Sequence, residues 1–469
     1  MACHLVWFLS LLDVVSSATL DRRQNADNTA TVDLAVKRGS PQDYASGFIY
    51  GIPDTPDHIP DHFYENMGFN YARVGGAQIP AGGWITGPDG YAGRINSTKS
   101  NYDTARKYGA TVILLPHDLW GTDHANDSTV WPGDDGDWSD YDDFLDQVMD
   151  DLVRYDMLEG MVFDIWNEPD ISFFWVRSQQ QWVDLYIRTH KRLRANPAMD
   201  PVLISGPSLA YRPFANNTWW TDWLDAIAGN DTIPEQYSYH LEGETDDPTN
   251  DLQNTNASLA ALLQEYDLPD RQININEYAN FDEEIPAGAA FWILRLERYD
   301  AIGLRGNWLS GCQLHDFFGS LLAKPGAKNG AEDGSAECSA GRYYPNGEYQ
   351  VYQYYTLNMT SHRVGTTRSG DRILDVYSTV DKHTVRTLAG VRLQECTWYI
   401  TIDNLHSVGL PKSGNLAIQT WGFIDRGNWG EVDAPTDRGI AHHQYTGNSV
   451  TFAVWNQRVL TFGLYPRLV

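Results

Sequence analysis

Met161-Val162-Phe163-Asp164-Ile165-Trp166-Asn167-Glu168-Pro169-Asp170 is the stretch that decides the fold. Its first half is short and mostly apolar, the pattern of a strand buried on both faces. Pro169 cannot continue a central ladder, so the strand stops and Glu168 stands at its carboxyl end, beside a loop. A carboxylate there, next to an amide and an indole, is what a site at the top of an α/β barrel requires. Asn-Glu-Pro also begins helices well, and for this stretch alone that reading stays open.

A second stretch tips the balance. In Arg271-Gln272-Ile273-Asn274-Ile275-Asn276-Glu277-Tyr278-Ala279 the alternating isoleucines again indicate a strand, and Glu277 again falls at its end. The chain between the two glutamates has room for several strand–helix units. Paired carboxylates flanking one bond are the machinery of glycoside hydrolysis. One gives a proton to the leaving oxygen, and the other attacks the anomeric carbon or activates water. Either glutamate alone also suits a solvated strand end; the matched contexts favour a working pair.

Working outward, strand-like runs recur at Phe48–Pro53, Tyr71–Gly76, Thr111–Asp118, Met161–Pro169, Pro201–Ser208, Gln236–Glu242, Arg271–Ala279 and Ala301–Ser310. Amphipathic segments such as Tyr141–Tyr155, Gln180–Arg194, Ser258–Tyr266 and Pro286–Tyr299 separate them. Strand alternating with helix implies parallel βαβ units, and eight repeats imply closure into a (β/α)8 TIM barrel. Glu168 then ends the fourth strand and Glu277 the seventh. Gly347–Thr360 reads as a closing helix, and the chain then changes to short strands: Arg372–Ser378, Thr384–Ala389, Thr397–Asp403, Leu416–Thr420, Ser449–Ala453 and Val459–Leu464. The expected fold is therefore α/β, a barrel over 46–361 with an additional C-terminal β-sandwich over 362–469. Ala30–Lys37 alternates like the late strands, so segment 24–45 is expected to cross over and join the sandwich. That module serves as a structural buttress or as a carbohydrate-binding surface, the former favoured.

These features resemble the retaining glycosidases of the large (β/α)8 clan, clan A, and most nearly glycoside hydrolase family 39, the β-xylosidase and α-iduronidase group. The resemblance spans roughly Phe48 to Ser361, and its motifs, Asn167-Glu168-Pro169 and the strand-ending Glu277, are specific to the clan but not to a substrate. It implies that Glu168 is the acid/base, Glu277 the nucleophile, and Asn167 a contact to the sugar's 2-hydroxyl. Arg73, ending the second strand, resembles the arginine that keeps the nucleophile ionised. Family 39 usually follows it with His-Gly, whereas Gly75-Gly76 stand here. His240, ending the sixth strand, resembles the family's histidine there, with Tyr239 the alternative partner for Glu277. Trp308, ending the eighth, looks like the platform under the sugar, although a core position also suits it. His117, ending the third strand, either reaches the sugar or is bonded within its loop.

Composition narrows the class further. A chain of 469 residues suits a barrel plus a smaller module, and 42% hydrophobic content is ample for a core. A net charge of −28 argues against nucleic acid and anionic membrane surfaces, and makes an acidic polysaccharide a less natural substrate. Seventeen Trp and 26 Tyr offer rings that stack on sugars, though most belong to the core. Leu5–Leu12 followed by Ser16-Ser17-Ala18 reads as a signal peptide over 1–18, imperfect because its start lacks Lys or Arg and Asp13 interrupts it. Glycan acceptor triplets begin at Asn96, Asn126, Asn216, Asn230, Asn256 and Asn358, in keeping with a secreted, extracellular chain. Of the cysteines left after cleavage, Cys312 and Cys338 are expected to pair and Cys396 to remain a thiol. No segment after the signal is long and apolar enough to span a membrane. The loop His117–Trp138 carries His124, Asp123, Asp127, Asp134 and Asp135, but acidic runs are usually only solvated, so no metal is assigned, and the chemistry needs no cofactor. The function expected is cleavage of a polysaccharide or oligosaccharide by double displacement. Endo-acting agarase-type hydrolysis, transglycosylation and a non-catalytic sugar-binding barrel are the alternatives.

Overall fold

The structure, a computed structural model, describes residues 26–242, 250–306, 314, 316–326, 341–382, 384–456 and 460–466. The chain enters through β1 (Thr29–Lys37) and then builds the barrel from β2 (Gly47–Ile49), β3 (Tyr71–Val74), β4 (Thr111–Leu114), β5 (Met161–Asp164), β6 (Leu203–Leu209), β7 (Gln236–Leu241), β8 (Gln272–Tyr278) and β9 (Ile302–Arg305). These strands pair in parallel in chain order, and β9 pairs back onto β2, so the barrel is closed. All eight expected strands are present. Those ending near a proline stop earlier than expected: Pro116 opens the short helix Pro116–Trp120, and Met161–Asp164 gives way before Pro169.

Helices cover the barrel's outer face. Ser139–Arg154 shows why such segments fold as they do. Tyr141, Phe144, Leu145, Val148, Met149 and Leu152 form a buried stripe at helical spacing, with Asp140 and Asp142 in the first turn and Arg154 in the last. Inside the barrel, Ile113, Val162, Ile302 and Leu304 make a small apolar plug. Towards the carboxyl ends of the strands the interior turns polar, with Arg73, Asp164, Ser208, Ser238 and Asn276 all buried. That polar layer is the floor of the site.

After the barrel come the short pair β10 (Leu322–Ala323) and β11 (Tyr344–Pro345), a closing helix Gly347–Asn358, and the strands β12 (His362–Thr367), β13 (Leu374–Val380), β14 (Val385–Val391), β15 (Cys396–Asp403), β16 (Gly414–Ile424), β17 (Thr436–Tyr445), β18 (Ser449–Asn456) and β19 (Leu460–Pro466). With β1 they form one nine-stranded sheet, order β17-β16-β19-β14-β13-β12-β1-β15-β18. The sheet folds over as a sandwich, its two edge strands close enough for the His443 and Phe452 rings to lie 5.4 Å apart. As expected, β1 crosses over: it pairs antiparallel with β12 and parallel with β15. Strands β12 and β17 were not anticipated, and β17 is exposed along nearly its whole length, so it carries no alternation to read.

The sandwich is packed on helix Pro286–Tyr299, whose residues Pro286–Glu297 are all buried. A Cβ on Gly390 would come within 2.3 Å of the Phe291 backbone, so β14 and this helix touch main chain to main chain. Buried ion pairs sew the seam: Arg295 with Asp375 at 2.7 Å, Arg363 with Glu297 at 2.9 Å, and Arg392 with Glu283. The sandwich thus braces the helix that follows the strand carrying Glu277. The segment 1–18, Trp308, and the Cys312 and Cys338 of the expected disulfide lie outside the described residues.

Candidate active site

Glu168 sits just past the end of β5, in a backbone conformation unusual for a residue with a side chain (φ 41°). The following proline disfavours an ordinary helical turn there, and such a conformation costs of order 1–3 kcal/mol unless its surroundings impose it. They do. The Glu168 N–H donates to the Ser208 carbonyl at 2.9 Å, and the Ile171 N–H returns to the Glu168 carbonyl at 3.0 Å. Trp166 locks the turn from behind: its indole N–H donates to the Phe174 carbonyl at 3.0 Å, and its ring packs edge-on against Trp175. Asp170 accepts the N–H groups of Ala210 and Tyr211, each at 3.0 Å, tying the loop after β6 to the same turn.

Glu277 reaches the site by a different device. Along β8, Asn274 and Asn276 bond to groups within the barrel, Gln236 and Asp164 respectively. Strict alternation would therefore turn Glu277 outward. The register of β8 shifts against both neighbours, β7 and β9, between Asn274 and Tyr278, which marks a bulge. The extra residue brings Glu277 to the inner face, while Tyr278 faces out and bonds Tyr352 of the closing helix at 2.6 Å.

Arg73, wholly buried on β3, connects the two motifs. It donates to Asp164 (2.7 and 3.1 Å), to the Asn167 side-chain oxygen (2.7 Å) and to Glu277. Asp164 is held in turn by Ser208 at 2.5 Å and Asn276 at 2.9 Å, and Ser208 meets Ser238 at 2.7 Å. Neither Asp164 nor this hydroxyl–amide set was singled out from sequence. The only available signal was polar residues at inward positions of otherwise apolar strands.

A third carboxylate and an imidazole complete the cluster. His240, at the end of β7, lies 2.7 Å from Glu168 through Nδ1 and 3.8 Å from Glu277 through Nε2. Glu242, two residues further, was read only as the end of a strand. One ligating atom from each of Glu168, His240, Glu242 and Glu277 lies within 4.8 Å of the others. Burial alone would raise the Glu277 pKa, but the charges of His240 and Arg73 and hydrogen bonds from Glu242 and Arg73 hold it below the usual carboxylate range. Burial would lower His240, yet the two facing carboxylates hold it above its ordinary value. Glu242 goes the other way: burial and the charge of Glu277 push it well above the carboxylate range. The two facing carboxyls are thus pushed in opposite directions, Glu277 toward its ionised form and Glu242 toward its neutral one.

Of the residues expected here, Glu168, Glu277, Arg73, Asn167 and His240 are brought together. Tyr239 is not. It precedes the inward-facing His240 on β7, so it points outward, where its hydroxyl donates to Thr255 at 2.9 Å and its ring packs on Trp220. His117 is buried at the mouth, 2.9 Å from Asp118, its Nδ1 without a hydrogen-bond partner among the described residues and its ring against Trp166 and Phe174. At Gly75, where the resemblance to family 39 called for a histidine, a Cβ would lie 2.6 Å from the Asp118 side chain, so a larger residue does not fit. In the loop His117–Trp138, Trp120 and Trp131 are buried in packing, while Asp123 and Asp134 pair with Arg94 and Arg177 at 2.7 and 2.6 Å.

No protein-family profile and no curated protein sequence matches the chain. Solved structures do match its architecture. N2152 from Neocallimastix frontalis superposes with a TM-score of 0.71 at 17% identity, covering 94% of this chain and 99% of its own. The glycoside hydrolase family 30 subfamily 8 xylanase Xyn30A from Clostridium acetobutylicum gives 0.55 at 16% identity (94% and 100% covered). The GH39 enzyme from Xanthomonas axonopodis pv. citri gives 0.57 at 14% identity (96% and 100% covered). The family 30 and family 39 proteins score alike, so family 39 is not singled out. What this chain shares with all three is a barrel joined to a β-sandwich.

Proposed function

We propose that the chain is a retaining glycoside hydrolase acting on a neutral polysaccharide or oligosaccharide. The observation that carries this reading is the placement of Glu168 and Glu277 at the ends of the fourth and seventh barrel strands, with oxygens within 4.8 Å of each other. Retaining enzymes hold their two carboxyls about 5–5.5 Å apart, whereas inverting enzymes leave about 6.5–9.5 Å for a water. The architectural likeness to a family 30 xylanase and a family 39 enzyme supports the same class.

In this mechanism an oxygen of Glu277 attacks the anomeric carbon while Glu168 passes its proton to the leaving oxygen. Glu168 then takes a proton from water, which attacks the same carbon and frees Glu277. The low pKa of Glu277 keeps the attacking oxygen ionised. Asn167, held by Arg73, presents its amide N–H2 toward the sugar's 2-hydroxyl. His240 donates to Glu168, fixing the carboxyl that must change role between the two steps.

Exposed aromatic rings support a chain-like substrate. Phe173 (69% exposed), Tyr211 (61%) and Phe281 (51%) lie on the loops after β5, β6 and β8, all at the carboxyl rim of the barrel. The loops bearing Phe173 and Tyr211 are those tied to Glu168, the side on which the leaving group departs. Rings at these positions offer apolar faces to sugar units beyond the cleaved bond. The carboxylates lining the site disfavour an anionic sugar.

Secretion belongs to the same proposal. Its support is the apolar N-terminal run and the acceptor triplets, of which Asn96, Asn126, Asn216 and Asn230 are exposed. Amino-terminal sequencing of the exported protein and its mobility after glycan removal test it. The activity is tested by product release from a panel of xylan, xyloglucan, β-glucan and galactan beside nitrophenyl glycosides, with Glu168→Gln and Glu277→Gln as controls. Release abolished in both variants supports the reading; activity retained in Glu277→Gln contradicts it.

A further inference from the structure

Three carboxylates share this site, and double displacement uses two. Glu168 lies 2.7 Å from the His240 ring nitrogen, and Glu277 accepts from Arg73, so each has a nitrogen partner. Among the described residues Glu242 has none: its Oε1 is buried without a hydrogen-bond partner there, and the carboxyl faces His240 on β7, Glu168 beyond β5, Glu277 on β8 and Arg73 on β3. A carboxylate so placed needs a proton, a metal ion or a donor from the substrate. Arg73 already supplies positive charge, as does His240 when protonated, so a proton is the smallest sufficient addition. A carboxylic acid beside a carboxylate makes a strong hydrogen bond to it.

We propose that Glu242 is a positioning residue for the nucleophile: its carboxyl, sharing one proton with Glu277, holds the attacking oxygen in register. The arrangement rests on the reading of Glu277 as nucleophile and adds what sets its position. The donated hydrogen bond favours the ionised form of Glu277, as do Arg73 and His240, and it opposes the effect of burial. It also makes the site selective. A neutral sugar adds no charge there, whereas a carboxylate-bearing sugar brings a further negative charge against three acidic groups.

The test uses the full chain with Glu242→Leu, which removes the donor, and Glu242→Gln, which keeps one. The probes are the 2,4-dinitrophenyl 2-deoxy-2-fluoro derivatives of xylose, glucose and galactose. They trap the nucleophile, and their leaving group needs no proton from Glu168. The inactivation rate is followed against pH and the labelled peptide is identified by mass spectrometry, with circular dichroism checking the fold. Glu242→Leu is expected to move the acidic limb up by about one pH unit and to slow trapping roughly tenfold at its plateau, from loss of one charge-assisted hydrogen bond. Glu242→Gln is expected to restore the limb and most of the rate. A Glu242→Leu profile equal to wild type, with the label on Glu277, overturns the proposal and leaves the nucleophile intact. A folded Glu242→Gln as impaired as Glu242→Leu overturns it too. A wild-type rate that a chelator abolishes and Zn2+ restores would assign the cluster to a cation instead. Label on a residue other than Glu277 would sink the underlying reading.

Discussion

Replacing Arg73 by Met should separate its two duties, structural and electrostatic. The side chain is wholly buried and donates to three acceptors, Asp164, Asn167 and Glu277. Removing one partner of a buried ion pair costs about 3–5 kcal/mol, because the charge left behind has lost its compensation. Asp164 keeps its bonds from Ser208 and Asn276, so the lower end of that range is expected. The variant should fold with a clearly lowered melting temperature. Among the survivors, Glu277 loses an adjacent positive charge, and such a loss is worth about 1–3 pKa units. The acidic limb of the kcat/KM profile should therefore move up by at least about one pH unit. The turnover itself should fall by roughly 100-fold or more, since Asn167 loses the donor that orients it. Arg73→Lys should return part of the limb but less of the rate, because an ammonium restores charge without the planar fork. The assay is a pH–rate profile on folded protein, normalised by active-site titration. An unshifted limb with full activity in Arg73→Met would refute the electrostatic coupling and leave Arg73 a structural ion-pair residue.

Other outcomes follow from the same geometry. Glu168→Ala should cripple turnover on natural linkages, and added azide should restore part of it by attacking the trapped sugar in place of base-activated water; rescue of Glu277→Ala to a product of unchanged anomeric form would instead exchange the two roles. Tyr211→Ala and Phe173→Ala should each lower kcat/KM on polysaccharide by up to about tenfold relative to nitrophenyl glycosides. Leu203→Ala, exposed at the amino end of β6, serves as the control, and an equal loss on both substrate types would remove the rings from chain binding. Thermal stability should peak in mildly acid solution. Burial pushes Asp43 and Asp170 up to about 6 and Glu284 up to about 8. Raised acids stabilise the fold fully below their unfolded values, about 3.9 for Asp and 4.3 for Glu, and that contribution is lost as pH rises through 6 and then 8. Glu277, lowered, contributes above its unfolded value and loses its share in acid. Melting temperatures rising steadily from pH 5 to 8 would contradict these assignments.

Much of the architecture was legible because its signals are local. A buried apolar run stopped by Pro169 and alternating isoleucines before Glu277 located the two strands that carry the paired glutamates. β1 was assigned to the sandwich from alternation alone, and the pairing with β12 and β15 agrees. What sequence reading could not supply depends on register. Placing Glu277 at a strand end was right, but strict alternation from Asn274 and Asn276 would have turned it away from the site; the bulge in β8 is a property of the closed barrel. The same period of two, unbroken at Tyr239 and His240, sends the tyrosine to the helical layer. Glu242 looked like a strand terminus because nothing local distinguishes a solvated acid from one enclosed by Glu168, His240 and Glu277. The glycine at position 75 has no local signal either: its reason is Asp118, distant in sequence, which fills the space a side chain there would need.

The most direct test of the account is the stereochemistry of the first product. Proton NMR of hydrolysis in progress, on whichever linkage the panel identifies, shows the released sugar before it equilibrates between anomers. Double displacement through Glu277 predicts that the new reducing end appears first in the same anomeric form as the bond that was cut. First appearance of the opposite anomer would mean a single displacement by water and would contradict the nucleophilic role of Glu277.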